Sequence, residues 1–145
     1  MLAAIPLLGL PVAAYAVLAL TLGGGAYAVD VHQRITRPLF TFSTAGGGAW
    51  PVSSADLLLA VALVVAFIEL LKGIEDRRIA MANHALSIVL FVLCIVAMLL
   101  APAFATSTFF LLTLMVLLDL VAGFIVTMAQ PHPEPEGRPR RSPLV

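Results

Sequence analysis

Four long apolar runs, at about 2–22, 55–71, 79–100 and 107–128, constrain this chain more than any other feature. A helix needs about 20 mostly apolar residues to cross ~30 Å of hydrocarbon, and the four runs meet that length or come close. Backbone groups in lipid must be satisfied within the segment, so such runs are expected as helices. The alternation of a membrane β-barrel is absent. Of 145 residues 61% are hydrophobic and 11% charged, and the mean hydropathy is +1.08. Soluble domains carry about a quarter charged residues, and disordered chains combine low hydrophobicity with high charge. The expected fold is therefore all-α, an integral membrane bundle of four transmembrane helices.

The boundaries of the runs have their own signals. Ser53 precedes Asp56 by three residues, a capping-box-like start to the second helix, with Pro51 just outside. Pro102 stops the third helix, and Thr106 or Ser107 can cap the fourth. The short link between those two helices makes them an antiparallel hairpin. In the first run Pro6 stands near the start, whereas Pro11 is expected to kink the helix or to pack where a neighbour compensates. That run has a rival reading as a cleaved signal peptide, because Ala26-Tyr27-Ala28 matches a small-x-small cleavage pattern. The absence of a positive n-region and an apolar run longer than about 7–15 residues favour a retained helix.

Lys and Arg counts set the orientation. With four spans, Lys72, Arg77, Arg78, Arg138, Arg140 and Arg141 share one face, against Arg34 and Arg37 on the other. Both termini are thus expected in the cytoplasm, with Tyr27, Trp50, Phe109 and Phe110 near the outer interface as an aromatic belt. The outer loop, about 23–54, contains glycine runs at 23–25 and 46–48 that permit flexible backbone. Its stretch 30–42, with Leu39, Phe40 and Phe42 among charges, reads as a plain connector or as a segment on the membrane surface. The organisation expected is a four-helix domain over 1–129 and a disordered cytoplasmic tail over 130–145, where five prolines preclude a packed core.

Few residues in such a chain can carry chemistry. Asp119 lies near the middle of the fourth run, where a charge costs about 2.5–3.5 kcal/mol on insertion scales. Ala122, Gly123 and Thr127 follow it at helical spacing and allow another helix to approach closely. Asp119 reads either as a proton- or cation-binding carboxylate or as a structural acid hydrogen-bonded across helices. Glu69 stands near the inner end of the second run with Lys72 one turn on, and His84 and Ser87 begin the third. Antiparallel packing is expected to gather Glu69, Lys72, His84 and Ser87 into one polar cluster, with Asp119 roughly 8–10 Å deeper at 1.5 Å per residue. Arg138, Arg140 and Arg141 are candidates for anionic lipid headgroups, or simply enforce orientation.

Several function classes are disfavoured. Eight basic residues balance eight acidic ones, so nothing points to a nucleic-acid partner. One cysteine excludes an internal disulfide and a C-x-x-C pair. Cys94 reads as a small buried apolar residue. The glycine runs lack phosphate-binding spacing, and no Ser/His/Asp set assembles at one depth. No catalytic residues, metal site or cofactor are expected.

The segments Glu69-Leu70-Leu71-Lys72, His84-x-x-Ser87, Thr106-Ser107-Thr108-Phe109-Phe110 and Asp119-x-x-Ala122-Gly123-Phe124 resemble a group of small four-helix bacterial inner-membrane proteins. The resemblance covers about 56–128 and implies a multi-pass fold in a bacterial inner membrane, but no activity. Small multidrug exporters have similar length, yet they carry an essential glutamate in the first helix, and this chain has no acidic residue before Asp30. The function expected is a non-enzymatic membrane protein, an accessory or scaffold subunit that packs against itself or a larger complex through the Asp119/Gly123 face. The alternative is a small homo-oligomeric proton- or cation-coupled transporter or channel subunit using Asp119.

Overall fold

The computed structural model describes residues 6–22, 31–72 and 77–129, without the side chains of residues 72, 77–83, 126, 127 and 129. The side chains of Lys72 and Thr127, and the whole tail with Arg138, Arg140 and Arg141, lie outside the described residues. Four longer helices dominate: α1 (Gly9–Leu22), α3 (Ser54–Lys72), α4 (Arg77–Leu100) and α5 (Ser107–Ala129). Between α1 and α3 come a short helix, α2 (Val31–Ile35), and two strands, β1 (Pro38–Ser43) and β2 (Ala49–Ser53). A single 3-10 turn, Pro102–Phe104, links α4 to α5.

Among the described residues two helices are long and apolar enough to cross a bilayer, Ser54–Leu71 and Ser107–Ile125, with mean hydropathies of 2.3 and 2.4. The apolar parts of the other two helices that are described, Gly9–Leu22 and His84–Leu100, are shorter. The first helix starts later than the apolar run because Pro6 to Leu8 form a turn ahead of it. Pro11 consequently sits in the first turn of α1, where a missing N–H leaves no intrahelical bond unmade, and the kink expected there has no cause.

α5 is the central helix, packed against both α4 and α3, while α1 lies against α3 and α5. Its buried face is Phe109, Leu112, Thr113 and Val116, the i, i+3, i+4, i+7 stripe of one helical side. Phe109 is therefore core, not part of an interfacial belt. Its ring centroid lies 5.0 Å from those of Tyr15 and Phe104, within the range of favourable aromatic pairs. The Tyr15 hydroxyl is satisfied by the Ala103 carbonyl at 3.3 Å and by the Thr106 hydroxyl. Thr106 Oγ1 also accepts the Phe109 N–H at 3.2 Å and so caps α5. At the start of α3, the Ser53 N–H and hydroxyl donate to Asp56 Oδ2 at 2.8 and 2.7 Å, and the Asp56 N–H returns a bond to Ser53 Oγ at 3.3 Å. That is a reciprocal capping box.

Only 17% of the Ser54–Leu71 window and 33% of the Ser107–Ile125 window is buried within the chain. The core helix of a soluble protein shows the opposite balance. Here large apolar side chains such as Val61, Val64, Phe67, Leu118 and Ile125 face outward.

The segment read as a connector is an ordered antiparallel ribbon, with β1 paired to β2. The glycine run 46–48 forms its turn instead of a flexible stretch: Thr44 N–H reaches the Gly48 carbonyl at 2.8 Å and Gly47 N–H the Thr44 carbonyl at 2.9 Å. Gly47 has φ of +79°, a conformation that glycine adopts without the penalty of a Cβ.

Candidate functional site

The turn at 101–106 sets the register of α4 against α5. Ser87 and Asp119 stand at nearly equal chain distances from it, and the Ser87 hydroxyl donates to Asp119 Oδ2 at 2.9 Å. One turn further on, Gly123 faces His84, and a Cβ placed on Gly123 would lie 3.0 Å from His84 Nδ1. A Cβ there would require the imidazole to move back by a few tenths of an ångström. His84 Nδ1 is buried and has no hydrogen-bond partner among the described residues. Ser87, His84 and Asp119 thus form one polar group between two apolar helices.

This grouping differs from the cluster expected of Glu69, Lys72, His84 and Ser87. Asp119 is not deeper than Ser87 but bonded to it, and Glu69 is engaged elsewhere. The cause is α5, which packs against both α3 and α4 and draws the polar residues of α4 to itself.

Glu69, at 3% exposure, receives the turn that leads into α1. Its Oε1 accepts the Leu7 N–H and its Oε2 the Leu8 N–H, each at 2.9 Å. The first N–H groups of a helix have no intrahelical acceptor, and in an apolar setting each must find one elsewhere. The accounting at this terminus closes. Leu7 and Leu8 bond to Glu69, Gly9 N–H bonds to the Pro6 carbonyl and Leu10 N–H to the Leu7 carbonyl, both at 3.0 Å. Pro11 has no N–H, and Val12 N–H reaches the Leu8 carbonyl at 3.4 Å. Sequence reasoning missed this role. The available signal was the absence of any Ser, Thr, Asp or Asn ahead of α1 to cap it.

On its other side Asp119 lines a groove of about 450 Å³ between α3 and α5, whose walls include Leu63, Phe67, Leu70, Met115 and Leu118. It is the one ionisable residue among the described lining. A second hollow, of about 390 Å³, lies between Pro6, Gly9 and the side of α4 that carries Ala85, Val89 and Leu93, with no ionisable residue among its described lining.

The chemistry available is that of a carboxylate acceptor with one hydroxyl donor already in place and an imidazole beside it. Ser87 donates to Asp119, so the serine-to-histidine bond of a nucleophilic triad is not made here. Among the described residues no three His, Cys, Asp or Glu side chains group to hold a metal ion. Cys94 is a buried free thiol. Ala122, half-buried, and Gly123 are the small residues of this part of α5. Comparison with family models, curated proteins and solved structures gives no match to this chain.

Proposed function

We propose that the chain is a non-enzymatic, multi-pass protein of a bacterial inner membrane, with all four longer helices crossing the bilayer and both termini cytoplasmic. It serves as an accessory or scaffold subunit of a homo-oligomer or a larger membrane complex. The low internal burial of α3 and α5 supports the membrane setting. Apolar helix surface on this scale is stable in lipid, whereas soluble monomers rarely expose large contiguous apolar patches.

The observation that carries the subunit role is the position of Asp119 on the α3/α5 groove. A carboxylate facing acyl chains costs about 2.5–3.5 kcal/mol at mid-helix. A partner helix seated in the groove, with a donor directed at Asp119, offsets that cost. Gly123 is already taken up by His84 within the chain, which narrows the Asp119/Gly123 face to the groove side of Asp119. Asp119→Asn keeps an acceptor for a donor from the partner and should leave association intact. Asp119→Leu should dissociate the complex on size-exclusion chromatography in mild detergent. Equal assembly in both variants contradicts the proposal.

A second reading, a proton- or cation-coupled carrier, is favoured by the buried, unpartnered His84 Nδ1 near Asp119. It requires flux in proteoliposomes that Asp119→Asn abolishes while assembly persists.

A further inference from the structure

We infer that the β1–β2 ribbon is a lipid anchor, its aromatic face bedded in the headgroup boundary of the leaflet where α3 begins. This inference rests on the membrane setting proposed above and goes beyond it by assigning the ribbon a partner.

The register sorts the side chains cleanly. Phe40 pairs with Val52 and Phe42 with Trp50, while Thr41 pairs with Pro51 and Ser43 with Ala49. Paired residues share a face and successive residues alternate. One face is therefore Phe40, Phe42, Trp50 and Val52, and the other is Thr41, Ser43, Ala49 and Pro51, with Leu39 unpaired at the irregularity between Pro38 and Phe40. The aromatic face is built as a unit, with Phe40 edge-on to Phe42 at 5.2 Å and Phe42 at 6.3 Å from Trp50. Val52 is buried at the base, but Phe40, Phe42 and Trp50 are 43%, 54% and 62% exposed. A two-stranded ribbon is marginal alone in water, so an uncovered aromatic face is a poor arrangement unless something apolar meets it.

Position identifies what meets it. β2 ends at Ser53 and α3 begins at Ser54 with no linker. The Ser53–Asp56 capping box and the bond from Ser54 Oγ to the Ile35 carbonyl at 2.8 Å hold the junction. The ribbon thus stands at the end of a helix long enough to span, and the outward apolar surface of α3 (Leu57, Val61, Val64) leads up to it. Tryptophan at that level is typical of an interfacial belt, and the two phenylalanines extend the apolar surface beside it. Thr41 and Ser43 on the opposite face suit water. Addition of another strand is opposed by Pro51, which deprives β2 of a donor.

Trp50 is the only tryptophan in the chain, so tryptophan emission, excited beyond the tyrosine absorption band, reports on the ribbon alone. The full chain is reconstituted into phosphatidylcholine–phosphatidylglycerol vesicles containing lipids brominated near the carbonyls or near the chain ends. Shallow bromines are expected to quench Trp50 at least about twofold more than deep ones, with acrylamide quenching reduced by about the same factor relative to free tryptophan. Phe40→Ser/Phe42→Ser should raise acrylamide quenching toward the free value. Strong acrylamide quenching in the parent chain overturns the inference, as does stronger quenching by deep bromines. Protection from both quenchers also overturns it, since a protein partner then covers the face. Alkaline carbonate extraction separates the two claims: release from the vesicles overturns the membrane setting and this inference with it, whereas a retained chain with water-exposed Trp50 overturns this inference alone.

Discussion

The carboxylate of Glu69 offers the sharpest test of how this chain is held together. It accepts two N–H groups, from Leu7 and Leu8, at 2.9 Å each, and the residue is buried. Hydrogen bonds to a charged group contribute about 1.5–3 kcal/mol each, and a buried N–H left without an acceptor costs about 1–3 kcal/mol. These figures describe overlapping parts of one loss, so Glu69→Ala should cost about 3–5 kcal/mol in all. Glu69→Gln keeps one acceptor oxygen and places an amide NH2 against the other N–H, so it should cost about half as much. Denaturant unfolding in mixed micelles measures both variants, and amide exchange at Leu7 and Leu8 should accelerate in the order Gln, then Ala. The reasoning fails if Glu69→Ala unfolds within about 0.5 kcal/mol of the parent, the size of an ordinary surface substitution. Unchanged exchange at those two amides refutes it equally.

Three further perturbations bear on the helix contacts. A side chain at position 123 meets His84 Nδ1, so Gly123→Val should lose about 1–3 kcal/mol through overpacking. Thermal unfolding should then show most of the loss recovered when His84→Ala is combined with it. Tyr15→Phe retains the rings around Phe104 and Phe109 but removes the bonds to Thr106 and Ala103. It should cost about 1–2 kcal/mol, against about 3–5 kcal/mol for Tyr15→Ala, and equal melting of Tyr15→Phe and the parent would show that the hydroxyl contributes nothing. Ser53→Ala removes the hydroxyl half of the capping box and should cost about 1 kcal/mol, read from denaturant midpoints.

The features legible in the sequence are the local ones. The capping box and the Thr106 cap depend on residues three positions apart, and such spacings appear directly in a chain. The partner of Glu69 does not, because it lies 61 and 62 residues away and a backbone N–H carries no residue-type signal. Phe109 was misplaced for a different reason. α5 is apolar over most of its circumference, so composition offers little contrast between the side that meets lipid and the side that meets Tyr15. The ribbon did leave a signal, alternation in 40–43 and 50–53 about a glycine run, which the apolar helices around it overshadowed. The Ser87–Asp119 bond follows from the antiparallel pair once the turn is located, and counting outward from that turn is enough to find it.

Native mass spectrometry of the protein, released gently from the membranes of its own host, tests the proposed role most directly. An accessory or scaffold subunit predicts an assembly of fixed stoichiometry, with a second copy or a distinct membrane protein, that persists in Asp119→Asn and is lost in Asp119→Leu. A monomer in the parent chain, or an assembly indifferent to Asp119→Leu, contradicts it.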